Sequence, residues 1–156
     1  MPCEIEGIEV RDLKRHDDDR GWLVELFRQD EVDENVYPVM SYVSLTRQGV
    51  VRGPHEHREQ TDLLCFVGSS TFRLYLWDNR NNSSTSGKYA EMEFGENHWA
   101  TVIIPPGVVH AYKNIGSRDG LVYNAPNRLY AGEGHNEPVD EIRHENDTGS
   151  KFHIRD

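Results

Sequence analysis

Cysteine is scarce in this 156-residue chain: Cys3 and Cys65 are its only two. A disulfide framework is therefore excluded, with one bridge at most, and Cys65, inside Leu-Leu-Cys-Phe-Val, reads as a small buried hydrophobe. Long apolar runs are missing as well. No stretch approaches the roughly 18 residues that span a bilayer. The N-terminus Met-Pro-Cys-Glu-Ile-Glu has neither the basic region nor the apolar run of a secretion signal. The expectation is a cytoplasmic protein with no membrane association. Basic residues are outnumbered, 17 Lys and Arg against 27 Asp and Glu, for a formal net charge of −10. That balance argues against a nucleic-acid partner, which needs a basic field. It still permits a local pocket for a phosphorylated ligand, with Arg20, Arg28, Arg52 and Arg73 available to converge. Helical periodicity is nearly absent.

What the chain does have is short alternating apolar runs separated by Gly, Pro and Asn. Ile5 to Val10, Gly21 to Phe27, Val36 to Leu45, Leu63 to Val67, Thr71 to Trp77, Lys88 to Phe94, Trp99 to Ile104, Val108 to Tyr112 and Leu121 to Asn124 all read as strands. Arg15 to Arg20 reads as a polar turn, and Gln29 to Asn35 as one helical turn. About nine short strands with little helix indicate an all-β sandwich or barrel. Sheet edges have to be hidden, so a homodimer that pairs or exchanges strands is expected.

Two segments carry candidate chemistry. In Gly49-Val-Val-Arg-Gly-Pro-His-Glu-His57, the two histidines are two residues apart. On an extended strand both rings point to one side. Arg52 lies just upstream and Asp62 five residues downstream. The second segment is Ile104-Pro-Pro-Gly-Val-Val-His110 with Ala111-Tyr-Lys-Asn114. Two chemistries fit these residue types. His55, His57, Asp62 and His110 offer three imidazoles and a carboxylate, a set that suits a divalent transition metal with open positions. Alternatively, a histidine that titrates near neutrality can remove a proton from a carbon beside a ketone. Nearby positive charge would carry the enolate, a second acid on the opposite face would return the proton, and arginines would hold a diphosphate.

Gly49-x5-His55-x-His57-x4-Asp62-x5-Gly68 and Pro105-x-Gly107-x2-His110-x3-Asn114 resemble the two signature motifs of the cupin superfamily. The resemblance implies a cupin double-stranded β-helix, a jelly-roll barrel. It implies one such domain over residues 1–156, with residues 128–156 a polar extension on the barrel or on a partner. A fuller set of stretches is similar to the dTDP-4-dehydrorhamnose 3,5-epimerase family: Asp19 to Phe27, Gly49 to His55, Ile104 to Tyr112, and Leu121-Val-Tyr123 with Tyr130 behind it.

That resemblance implies an isomerase acting on a nucleotide-diphosphate 4-keto-6-deoxy sugar, without a cofactor. His55 would be the base, and Tyr123 or a second histidine, with His57 and His110 the catalytic candidates beside it, would return the proton. Arg20, Glu25, Arg52 and Tyr130 would contact substrate. Arg52-Gly-Pro-His-Glu-His57 also resembles the dTDP-sugar 3,4-ketoisomerases, where a histidine pair shuttles a proton between neighbouring carbons. The chain departs from the epimerase pattern at Asp62, where the family has a lysine that steadies the enolate. It departs again at Met40-Ser-Tyr42, where the family has Gln-Asp-Asn. It also stops before the segment that supplies an aspartate to the catalytic histidine. Two further readings follow, a metal-dependent cupin built on His55, His57, Asp62 and His110, and a sugar-nucleotide-binding cupin without turnover.

Overall fold

The structure is a computed structural model that describes residues 3–154. Its strands are β1 (Glu9–Asp12), β2 (Arg15–Asp18), β3 (Gly21–Val24), β4 (Tyr42–Thr46), β5 (Val51–Glu56), β6 (Asp62–Phe66), β7 (Thr71–Asp78), β8 (Tyr89–Gly95), β9 (Ala100–Ile104), β10 (Val108–Asn114), β11 (Gly120–Asn124) and β12 (Ile142–Arg143). Among the described residues the only helical elements are 3-10 turns of three residues. One sheet has the order β1-β9-β6-β11-β4 and a second has β12-β5-β10-β7-β8; every recorded pairing is antiparallel.

The two sheets pack face to face. Leu64, Phe66, Val102, Ile104 and Val122 of the first meet Phe72, Leu74, Leu76, Phe94, Val108 and Tyr112 of the second in one buried cluster. Each such large side chain removed from water contributes roughly 1.5–3 kcal/mol, and this shared layer holds the sheets together. Strand β6 is buried along its whole length because it has apolar layers on both faces. Leu63 and Cys65 turn outward against Val32 and Ala125, which accounts for an unbroken apolar run where alternation would leave one face wet. The outer face of the second sheet is covered by the C-terminal segment, with Phe152 packed on Tyr75, Trp77, Val109 and Ala111.

The expectation of a closed jelly-roll barrel is corrected. The strands form two separate five-stranded sheets, and no ladder joins them among the described residues. Between β4 and β5 the link is a side chain: Arg52 donates from Nε to the Thr46 hydroxyl (2.9 Å) and from Nη2 to the Leu45 carbonyl (2.8 Å). At the opposite end, β1 and β8 are separated by a groove lined by Ile8, Val10, Met92 and Phe94. A side chain at one seam and an open groove at the other stand where a barrel would place backbone hydrogen bonds.

The N-terminal part also differs from the sequence reading. Residues 15–18 are not a turn but β2, paired with β3 from Arg15↔Val24 to Asp18↔Gly21. The turn itself is Asp19-Arg20, held where Asp18 Oδ1 accepts from the Arg20 backbone N–H at 2.8 Å. Charged residues on β2 hid a strand whose partner is a two-residue hairpin away. Cys3 and Cys65 are both free thiols.

Candidate active site

The site lies between the sheets, in a cavity of about 400 Å³ lined by residues of both. Strands β5 and β10 of the second sheet bring the imidazoles in. His55 and His110 are cross-strand partners with ring centroids 4.5 Å apart. The register shifts just beyond them, between His110 and Tyr112, and β5 comes close to β10 there. Gly53 makes that approach possible: a Cβ on it would fall 2.6 Å from the His110 carbonyl oxygen, and its φ of +88° suits glycine. His57 follows on the same face, 5.8 Å from His55 by ring centroids. Glu56, between them, points to the other side of the sheet. There it is buried and accepts from His144 Nε2 (2.8 Å) and Asn79 Nδ2 (2.9 Å).

The facing sheet supplies a buried carboxylate. Asp62 opens β6 and is 1% exposed. Its Oδ2 lies 3.0 Å from His57 Nε2 and 3.1 Å from His110 Nε2. The second contact is electrostatic, since His110 Nε2 makes no aligned hydrogen bond. Oδ1 accepts from Gln60 Nε2 (2.8 Å) and Asn124 Nδ2 (2.9 Å). Burial opposes charge on Asp62, but the His110 and His57 rings outweigh it and hold the carboxyl well below its usual range. His57 responds in the opposite sense. Burial opposes its charge too, yet Asp62 and the Asp140 carbonyl, which accepts from Nδ1, push the ring up to about 9. His55 is lowered well below an ordinary histidine, first by burial and then by His110. The cavity thus places a neutral imidazole beside an imidazolium–carboxylate pair, two histidines whose surroundings set them to different tasks.

Of the sequence-predicted residues, His55, His57, Asp62, His110 and Arg52 line this one cavity. Four others are placed elsewhere. Tyr123 is on the outer face of the first sheet, packed against the Val32, Leu63, Cys65 cluster, and the structure does not bring it to this cavity. Strand alternation points its neighbours Val122 and Asn124 inward instead. Arg20 is at the hairpin tip, 90% exposed and paired with Asp18 at 2.5 Å. Glu25 pairs with Arg28 at 3.4 Å. Tyr130 lines an adjoining cavity of about 540 Å³. Nor do the four arginines converge: Arg28 holds Asp30 (2.8 Å) and Arg73 holds Glu93 (2.7 Å).

The sequence reading missed Tyr42, Asn124 and Arg143. Tyr42 and Asn124 are direct partners on β4 and β11, and Asn124 Nδ2 donates to the Tyr42 phenol oxygen at 2.8 Å. Asn124 faces the cavity with Val122 because of the register of β11 against β4 and β6, which no local signal in the sequence fixes. Tyr42 is 49% exposed as a residue, but its hydroxyl sits on buried Asn124 beside Asp62, and that local burial raises the phenol to about 12, with the Asp62 charge adding to it. Arg143 is on β12, the short strand that pairs with β5 opposite His55, and lines both cavities. Only tertiary pairing puts it there.

The donor atoms of His55, His57, Asp62 and His110 all lie within 4.8 Å of one another. The set fits a divalent transition metal in number and type, and His110 Nε2, buried without a hydrogen-bond partner, is the atom most suited to such an ion.

Two facing sheets enclose the clustered histidines in an all-β fold, and sequence comparison gives the class of protein. The pattern of the dTDP-4-dehydrorhamnose 3,5-epimerase family matches residues 2–141, and the chain belongs to that family. It is 38% identical over 158 residues to the probable low-salt glycan biosynthesis epimerase Agl13 of Haloferax volcanii, covering 98% of this chain and 99% of that one. It is 34% identical over 114 residues to the spore coat polysaccharide biosynthesis protein SpsL of Bacillus subtilis, covering 72% and 73%. Among solved structures, a dTDP sugar isomerase from Desulfovibrio desulfuricans shares the fold, with a TM-score of 0.77, 22% identity and coverage of 89% and 84%. Among the described residues, no helix is long and apolar enough to cross a membrane.

Proposed function

We propose that the chain is an epimerase or isomerase of a nucleotide-diphosphate-linked 4-keto-6-deoxy sugar. The observation that carries this reading is the inequality of its histidines. Asp62 Oδ2 lies 3.0 Å from His57 Nε2, which favours the cation there, while burial lowers neighbouring His55 and favours its free base. His55 removes the proton on the carbon next to the ketone. The His57 imidazolium, its charge shared with Asp62, stands beside the forming enolate, and on this reading it takes the place of the family's lysine. The carboxylate does not face the substrate as a bare negative charge, because it forms a pair with the imidazolium. Arg52, with Nη1 left over from its bonds to Thr46 and Leu45, and Arg143, which exchanges its Glu141 partner for the ligand, line the cavity wall where a diphosphate would be gripped, and the adjoining cavity gives the nucleotide room. The relative named as a glycan biosynthesis epimerase supports the same chemistry.

The test is deuterium incorporation from D2O into dTDP- and UDP-linked 4-keto-6-deoxyglucose, followed by mass spectrometry. Exchange at a carbon flanking the ketone is expected, and its absence with both sugars removes the proposal.

The donor set supports a second reading, a mononuclear metal centre on His55, His57, Asp62 and His110. Elemental analysis of protein purified without an affinity tag separates the two readings. About one transition metal per chain, lost on His57→Ala, favours the metal centre.

The outer face of β4 and β11 supports a homodimer. Val43, Leu45 and Leu121 are 52%, 52% and 40% exposed there, and β4 is an open edge. A second copy laid against this face would cover both.

A further inference from the structure

The keto-sugar reading leaves a place to fill. Tyr123 is outside the cavity, so the group that returns a proton on the face opposite His55 has to come from another strand. The candidates are the hydroxyl-bearing side chains that line the cavity: Tyr42, Ser44 and Tyr112. Tyr112 is on β10, in the same sheet as His55, so it cannot address the opposite face; it is 7% exposed, and its hydroxyl is 3.1 Å from Ser44 Oγ. These two hydroxyls bridge the sheets and satisfy each other. Tyr42 differs on each count. It is on β4 in the facing sheet, 49% exposed, and lines both the histidine cavity and the adjoining one. Asn124 donates to its oxygen at 2.8 Å. A phenol that accepts from an amide keeps its own O–H free to point into the cavity. The same Asn124 nitrogen reaches Asp62 Oδ1 at 2.9 Å, so one amide ties the phenol to the carboxylate of the histidine cluster.

We infer that Tyr42 is the proton donor on the face opposite His55, oriented by Asn124. The step balances simply. His55 takes the proton from the carbon beside the ketone as the carbon–hydrogen bond breaks and the enolate forms. The Tyr42 O–H then gives its proton to the same carbon from the other side, the ketone is restored, and the configuration is inverted. Tyrosinate regains a proton from solvent, and the imidazolium releases one to it. No oxidant or cofactor enters.

This inference rests on the keto-sugar reading, and the experiment keeps the two apart. Wild type, Tyr42→Phe and Tyr123→Phe are incubated with the same 4-keto sugar nucleotides in D2O, and both exchange and inverted product are followed by NMR. Tyr42→Phe removes one oxygen, and a melting temperature within a few degrees of wild type confirms the fold. Exchange is expected to persist within about 10-fold of wild type while inversion falls by roughly 100-fold or more, the range for losing a general acid. Tyr123→Phe is expected to invert normally. Inversion by Tyr42→Phe at the wild-type rate overturns the role given to Tyr42, and so does an equal loss of exchange and inversion in that variant. Absence of exchange in wild type overturns the keto-sugar reading, and the donor with it.

Discussion

Asp62 Oδ2 lies 3.0 Å from His57 Nε2, with the two side chains only 2% and 10% exposed. At that distance and burial each group sustains the charge of the other, and neither would stay ionised alone. Asp62→Asn keeps the shape and removes the charge. The exchange rate is expected to fall by about 100-fold, the usual scale for losing one electrostatic contributor to an oxyanion. Asp62→Lys is not expected to restore activity, although lysine is the residue the family resemblance calls for. It would bury an ammonium with no carboxylate partner next to a His57 that has lost its own, at a cost of about 3–5 kcal/mol. Thermal melts and exchange rates on both variants check this. An Asp62→Asn enzyme with wild-type exchange would disprove the pairing's role.

His55→Gln removes the base and retains a side chain of similar size. Exchange is expected to drop by about 10²–10⁴-fold, as for the loss of a general base. Far-UV circular dichroism should be unchanged. Exchange surviving within a factor of a few would move the base to another residue.

The histidine half of this site was legible because a period of two fixes which way His55 and His57 point. Two motifs far apart in sequence also implied that His110 would join them. The same periodicity was ambiguous in Leu121-Val-Tyr-Asn124. Both faces of β11 carry buriable groups, so nothing local said whether Val122 and Asn124 or Leu121 and Tyr123 face inward, and a slip of one residue reverses the answer. Tyr42 was hidden for a related reason. Its strand was read from Val36, but β4 begins at Tyr42 itself, after a 3-10 turn over Glu34–Val36 and an irregular stretch past Pro38. Barrel closure is also invisible locally, because it depends on whether β4 meets β5 through backbone or, as here, through the Arg52 side chain.

Glu56 and His144 form a buried contact on the back of β5 at 2.8 Å, with side chains 7% and 15% exposed. It pins the segment that carries Arg143 to the strand that carries His55. His144→Ala leaves Glu56 with Asn79 alone, and a loss of about 1–3 kcal/mol is expected from the stranded carboxylate. KM should rise several-fold with a smaller change in kcat, since Arg143 is placed to bind and not to react. Limited proteolysis should cut sooner within residues 136–150. Unchanged KM and cleavage would show that the β12–β5 pairing and the Asp140 carboxylate, which accepts from the Arg58, Glu59 and Gln60 N–H groups, hold the segment without this contact.

Leu121 and Leu45 are cross-strand neighbours on the exposed face of the first sheet. Leu121→Arg with Leu45→Glu places two charges on that face, and the expected outcome is a monomer by light scattering where wild type is a dimer. A wild-type monomer at micromolar concentration would end the dimer proposal.

Asp78 ends β7 with its side chain fully covered. Burial opposes its charge, but Arg80 at 2.8 Å and the hydroxyls of Ser83 and Thr85, both at 2.6 Å, hold the carboxyl far below the usual carboxylate range. A carboxyl depressed in the folded state contributes stability that is present above its unfolded value, about 3.9, and lost as pH falls toward its folded one. Melting temperature should therefore drop below about pH 4 in the wild type. Exposed carboxylates paired with arginine, such as Asp18 and Asp30, add to that slope. The difference between wild type and Asp78→Asn isolates the buried group. The variant should be less stable by about 3 kcal/mol at neutral pH, with the gap narrowing below about pH 3.9 as Asp78 takes up a proton in the unfolded chain but not yet in the folded one. A gap that stays constant from neutral pH down to about pH 2.5 would mean that Asp78 contributes shape and hydrogen bonds but not charge, and that Arg80 is held by Glu6 and its backbone carbonyl instead.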